Sequence, residues 1–255
     1  MSKENNRRLS DSVVLITGAL TGIGKATAVA FAQEGAKVVI SGRREEAGKA
    51  LEAELKSLGA EAAFIKADVR HEQDVQQLVN ETVARFGRLD IAVNNAGTEG
   101  QPGPITDQTA ETYSETFDTN VLGVIFSMKH QLKAMQQQGN GSIINVSSVL
   151  GRKGMPGTAV YTASKHAVEG LTKVAALEMA TSGIRVNVVA PGPVETPMLN
   201  RFAGTEENKA GLKTIVPAQR IGLPEEIAQT IVFLGSDKSP FLTGQSIAVD
   251  GGMLA

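Results

Sequence analysis

Tyr161 and Lys165 stand four residues apart, and Ser148 lies upstream of them across a glycine-containing loop. A phenol with an ordinary pKa of about 10 holds its proton too tightly to trade it near neutrality. A lysine ammonium beside it favours the phenolate, because opposite charge stabilises the ionised form. Positions i and i+4 share one face of a helix, so the two side chains can act together. The segment from Ala159 to Ala180 has few helix breakers and repeated apolar residues at helical spacing, which predicts that helix. Taken alone, a Tyr and a Lys at this spacing also fit an aromatic at a core edge beside a solvated charge. The rest of the sequence decides between the two readings.

The 255 residues are 42% apolar and 20% charged with a formal net charge of −2, which is enough to bury a substantial core within one α/β domain. No cysteine is present, so neither a disulfide framework nor a thiolate metal site is open to the chain. His71, His130 and His166 lie far apart without ligand spacing and read as surface or packing residues; no metal site is expected. Residues 1–12 read as a polar lead-in without a signal-peptide core. No apolar run approaches a membrane span, and no basic block suggests nucleic acid, so neither a membrane nor a nucleic acid is an expected partner. A reducing, cytoplasmic setting is the expectation.

Short β-branched runs alternate with longer amphipathic ones. The runs from Val13, Lys37, Ala62, Asp90, Ser142, Ile184 and Gln245 read as strands. Helices are predicted between them, including one long helical stretch ending at Gln138. Strands apolar on both sides and separated by helices imply an open parallel sheet covered on both faces, a doubly wound α/β fold. The least regular stretch, 193–217, follows the carboxyl end of a strand, where ligands bind in such sheets, and is expected to be a substrate lid.

The first strand runs into Thr17-Gly18-Ala19-Leu20-Thr21-Gly22-Ile23-Gly24, glycines that open a helix. A pyrophosphate needs close backbone approach and the N–H groups of a helix N-terminus, and glycines permit both. The second strand ends in Ser41-Gly42-Arg43-Arg44, without the acid that commonly binds a ribose 2′-OH. A guanidinium there can engage a 2′-phosphate, so Arg43 favours NADP(H) over NAD(H). Asn94-Asn95-Ala96-Gly97 ends the fourth strand at the same edge, where asparagines can fix loop backbone or touch a cofactor ribose. Asp68 can accept from an adenine amino group or serve as a turn residue.

With these motifs and with Asn120, Tyr161-Thr-Ala-Ser-Lys165, Ala190-Pro-Gly-Pro-Val-Glu-Thr-Pro-Met198 and a Thr-Gly-Gln-Ser-Ile-Ala-Val-Asp-Gly-Gly terminus, the whole chain resembles the short-chain dehydrogenase/reductase family. The resemblance implies a seven-stranded Rossmann fold binding NAD(H) or NADP(H), with Asn120, Ser148, Tyr161 and Lys165 as catalytic residues. Ser148 rather than Ser147 matches the family's interval back from the tyrosine. Cofactor contacts implied by the family fall on Gly18, Gly22, Ile23, Gly24, Asp68, Val69, Asn95, Val194 and Thr196, with Gly97, Tyr161 and Lys165 beside them. The chain departs from NAD-preferring members, which commonly carry Asp where it has Gly42. It departs also from many NADP members, which carry a basic residue where it has Thr21.

The resemblance further implies hydride transfer between a nicotinamide and a secondary alcohol or ketone. In it Ser148 bonds the substrate oxygen, Tyr161 acts as general acid or base with its pKa lowered by Lys165, and Asn120 positions a water next to Lys165. Ser148, Leu150, Met155, Met198, Leu199 and Phe202 are the expected substrate pocket, mostly apolar. Competing expectations are a 3-oxoacyl-acyl-carrier-protein reductase, with Lys129 and Lys173 meeting an acidic carrier, a glucose-type sugar dehydrogenase, and a non-catalytic dinucleotide-binding protein. A homotetramer is expected, with Phe233–Gly244 and Ile247–Ala255 as candidate interface segments.

Overall fold

The computed structural model describes residues 9–255; most of the 1–12 lead-in lies outside the described residues. Leu9–Asp11 form a 3₁₀ turn, and Leu9 packs against the core, so the lead-in ends on an apolar anchor. Seven strands follow: β1 (Val13–Thr17), β2 (Lys37–Gly42), β3 (Ala62–Lys66), β4 (Ile91–Asn94), β5 (Gly141–Val146), β6 (Ile184–Pro191) and β7 (Ser246–Val249). They form one parallel sheet in the order β3-β2-β1-β4-β5-β6-β7.

Alternation along the central strands sorts the core into two layers. Val14, Ile16, Val38, Ile40, Ile91, Val93 and Ile144 face α1 (Gly22–Gln33), α2 (Glu45–Ser57) and a late helix, Pro224–Gly235. Leu15, Val39, Ala92, Ile143 and Val186 face α3 (Glu72–Phe86), a helix over Gly123–Gln138 and another over Ala159–Met179. Every β1 residue is buried, as the continuous apolar run requires.

The single helix expected before Gln138 is two. α4 (Ala110–Phe117) and α5 (Gly123–Gln138) are joined by a π-helical turn at Asp118–Leu122. α6 spans Ala159–Met179. The irregular stretch 193–217 also folds: α7 (Pro197–Ala203) and α8 (Glu206–Thr214) each start at a threonine whose hydroxyl accepts the N3 amide, 3.2 Å at both Thr196 and Thr205. α9 (Pro224–Gly235) completes the helices. β1 and β4 are neighbours whose crossovers run to opposite faces, so a crevice opens at their carboxyl ends.

Candidate active site

The crevice holds two connected cavities. The first, about 260 Å³, is lined by the glycine-rich turn after β1, by Ser41–Arg44 after β2, by Asp68 and Val69 after β3, and by Asn95–Gly97 after β4. Gly18 has φ +64° there, and a Cβ on it would stand 2.6 Å from the Ala96 Cα. Both conformation and closeness demand glycine. Gly24, expected at the cofactor, lines neither cavity. It is buried under the turn, where a Cβ would meet the Gly18 carbonyl oxygen and the Asn95 amide at 2.5 Å.

Asn95 anchors the loop, one of the two roles expected for it. Its Nδ2 donates to the Gly18 and Thr17 carbonyls at 2.9 and 3.2 Å, tying the β1 turn to the β4 end, while the residue still borders both cavities. The Asp68 carboxylate is engaged by the Arg70 guanidinium at 2.6–3.1 Å, which holds its pKa below the usual carboxylate range. Arg43 is exposed on the rim. A side chain at Gly42 would begin 2.7 Å from Leu20 Cδ1, so Leu20 fills the space an acid there would take. Beside it the Ser41 hydroxyl is buried without a hydrogen-bond partner on a wall of the cavity. A glycine cradle, a helix N-terminus and an orphan hydroxyl fit a dinucleotide.

The second cavity, about 170 Å³, shares Ile23, Asn95, Gly97, Thr196 and Met198 with the first. Ser148, Tyr161 and Lys165 border it, with Leu150, Met155, Leu199 and Phe202. Val194, expected at the cofactor, is buried and borders only this cavity. Glu99, Leu212, Ile215 and Met253 also line it and carried no motif in the sequence. Glu99 comes from the loop after β4, Leu212 and Ile215 from the 193–217 stretch, and Met253 from the segment after β7.

Ser148 caps a 3₁₀ turn at Val149–Gly151, its hydroxyl accepting from the Leu150 amide at 3.1 Å. The neighbouring Ser147 hydroxyl donates to the Lys165 carbonyl at 3.3 Å and is thereby occupied. The Lys165 ammonium donates to the Val146 carbonyl at 3.0 Å and lies 5.6 Å from the Tyr161 ring centre. The phenol nevertheless stands above its ordinary pKa, where a net lowering was expected. Burial pushes the phenol up to about 12, opposed by a hydrogen bond with Ser148 and reinforced by the negative charge of Glu99. Burial also brings Lys165 down to about 8 against the field of Glu169. Low dielectric disfavours the charged form of each.

Asn120, on the π-helical turn, is buried and lines neither cavity. Its amide clasps Thr98, accepting from the backbone N–H at 2.8 Å and donating to the carbonyl at 2.9 Å; it donates also to the Ser164 hydroxyl at 3.0 Å. Ser164 in turn donates to the Tyr161 carbonyl at 2.7 Å, so Asn120 braces the helix that carries Tyr161. Over the mouth, Arg201 of α7 donates to Glu99 through two nitrogens at 2.6 and 3.0 Å. Among the described residues no helix is long and apolar enough to cross a membrane, and no group of His, Asp and Glu is placed to hold a metal.

This site and sheet order have counterparts in known proteins. Residues 18–254 match the family described as Enoyl-(Acyl carrier protein) reductase. The chain is 39% identical over 251 residues to a cyclohexanol dehydrogenase of Acinetobacter sp., covering 98% of each. It is 40% identical over 247 residues to the 3-oxoacyl-(acyl-carrier-protein) reductase FabG of Thermotoga maritima, covering 97% of this chain and 99% of the other. The solved structure of ElxO with NADP bound has a TM-score of 0.90 at 38% identity, over 95% of this chain and 98% of the other. The chain belongs to the short-chain dehydrogenase/reductase family. It is an NAD(P)-dependent oxidoreductase acting on CH–OH groups.

Proposed function

We propose that the enzyme interconverts compact, apolar secondary alcohols and their ketones, with NADP(H) preferred to NAD(H). One observation carries the substrate class. The Ser148 and Tyr161 hydroxyls border a cavity of about 170 Å³ whose walls are mostly apolar, Leu150, Met155, Met198, Leu199 and Phe202 among them, with Glu99 and Lys165 as the charged groups. Apolar walls with a few convergent polar groups suit a small hydrophobic body bearing one oxygen. The similarity to a cyclohexanol dehydrogenase supports the same reading.

When bound, the nicotinamide supplies or takes the hydride. Ser148 donates to the substrate oxygen and stabilises the negative charge that grows on it during reduction. Tyr161 gives that oxygen its proton, or takes one in oxidation. The raised phenol pKa favours the protonated, acid form at neutral pH. Lys165 stabilises the phenolate left behind, and Asn120 keeps Tyr161 in place through Ser164. Arg43 on the rim, Leu20 in the space of an acid and the unpartnered Ser41 hydroxyl support NADP(H). Residues 193–217 act as the substrate lid, with α7 and α8 over the second cavity.

The similarity to FabG keeps acyl-carrier thioesters as a second reading. Against it, the Lys129 ammonium is already paired with Glu72 at 2.6 Å. The protein is further proposed to be a cytoplasmic homotetramer, supported by large apolar side chains left on its surface, Phe241 above all. A panel of cyclic and linear secondary alcohols, glucose and a 3-oxoacyl thioester, each run with both nicotinamides, tests the reading. The highest kcat/KM is expected for a cyclic alcohol–ketone pair with NADP(H). Preference for the thioester or the sugar overturns the substrate class, and equal use of NAD(H) overturns the cofactor.

A further inference from the structure

Glu169 follows Lys165 by one helical turn on α6 and is buried, yet no step above uses it. Carboxylates are seldom buried without a partner, because an uncompensated charge is costly away from water. Its Oε1 accepts a 3.0 Å hydrogen bond from the Ser246 hydroxyl at the start of β7. A neutral hydroxyl anchors the carboxylate but does not balance its charge.

The opposite charge nearby is Lys165, i to i+4 on the same helix face and equally buried, each residue being 6% exposed. The helix turn between them is close-packed against the 3₁₀ turn. A Cβ on Gly151 would lie 3.0 Å from the Lys165 carbonyl oxygen and 3.1 Å from Glu169 Cγ. The remaining titratable neighbours are Tyr161 on the same helix and Glu99 from the loop after β4, whose charge acts on Tyr161. Around the ammonium itself stand neutral groups, the Val146 carbonyl of β5 at 3.0 Å and Gly97 after β4, while Ser147 and Gly151 meet the Lys165 backbone carbonyl.

We propose that Glu169 is a positioning residue of the reaction: anchored by Ser246, it is the counter-charge that keeps Lys165 an ammonium behind Tyr161. The inference rests on the proposed role of Lys165. Its pKa, already brought down to about 8 by burial, would fall further without the carboxylate. A lysine is charged below its pKa and neutral above it. Removing the Glu169 charge therefore moves the loss of the ammonium, and of the activity that depends on it, to lower pH.

The test is the pH profile of kcat at saturating NADPH and ketone for wild type, Glu169→Gln, Glu169→Asp and Ser246→Ala. In Glu169→Gln, which keeps the shape and a hydrogen bond to Ser246, the high-pH limb is expected to move down by about one unit, the lower end of the effect of a nearby opposite charge. Glu169→Asp should recover part of that shift, and Ser246→Ala should shift the limb in the same direction by less. A Glu169→Gln limb that stays in place, or a uniform loss at every pH, overturns the proposal. If that variant does not fold, an unmoved limb in Ser246→Ala does so instead. Lys165→Ala separates the two levels: activity in that variant sinks the role of Lys165 itself, whereas an inactive Lys165→Ala with an unmoved Glu169→Gln profile sinks only the inference about Glu169.

Discussion

Burial drives the two groups at the centre of the cleft in opposite directions on the pH scale and toward the same neutral form: the phenol of Tyr161 up to about 12, the ammonium of Lys165 down to about 8. The phenol therefore begins as a firmly protonated acid. The chain has two tyrosines and no tryptophan, so in a Tyr113→Phe background the phenolate absorbance reports Tyr161 alone. We expect its absorbance to rise only near pH 12; a midpoint near or below 10 would contradict the burial argument. The folded state binds this proton more tightly than the unfolded chain does. The stability it contributes is thus complete below pH about 10 and is lost as the pH rises to about 12. Tyr161→Phe should keep its fold and cofactor binding while kcat drops by about 10²–10⁴, the usual worth of a general acid. The residue types of this centre were legible from spacing, as were Ser148 and the glycines. The direction of the phenol's shift was not, because it depends on how tightly α6 and β5 enclose it and on the Lys165 ammonium being turned to the Val146 carbonyl.

Among the elements, strands buried on both faces announce themselves as unbroken apolar runs, which is why β1 and β2 were readable to within a residue. The stretch 193–217 was not readable as helix. α8 buries no residue, so it has no apolar stripe, and only the threonine caps and Pro197 marked its start and that of α7. The π-helical turn was equally hidden, since one extra residue in a helical turn leaves no compositional trace; it is what lets Asn120 reach both Thr98 and Ser164. The Glu99–Arg201 contact ties α7, in the proposed lid, to the loop after β4. Arg201 is largely exposed, so its loss should cost under about 1 kcal/mol of stability. Arg201→Ala is expected to raise the KM for ketone severalfold with little change in Tm, measured by initial rates and thermal melts. A large fall in Tm would mean that the contact supports the fold rather than the lid. At the end of β2, Arg43→Ala should raise the KM for NADPH by about tenfold, as losing a charged hydrogen bond implies, and leave NADH nearly unaffected. Equal effects on both cofactors would remove Arg43 from 2′-phosphate recognition.

The whole molecule leaves apolar surface that a solitary domain does not need. Phe241, between α9 and β7, is fully exposed, and Leu177 and Val174, three residues apart on α6, are 79% and 54% exposed. The other face of α6 carries Tyr161 and Lys165 and is packed on the sheet, so an outer apolar stripe on this helix has no partner among the described residues. The sequence pointed to Phe233–Gly244 and Ile247–Ala255 as candidate interface segments and not to the outer face of α6, because both faces of that helix read as apolar. A symmetric assembly would bury such patches in self-complementary contacts. Leu177→Asp places a charge on that stripe without touching the cleft, and in a symmetric interface like charges meet across the axis. Sedimentation should find wild type as a tetramer and Leu177→Asp as smaller species, with the Tm falling as protein is diluted only in wild type. The tetramer is excluded if both proteins sediment as monomers. If both remain tetramers, the outer face of α6 is not the contact, and Phe241→Ser then shows whether the turn before β7 is.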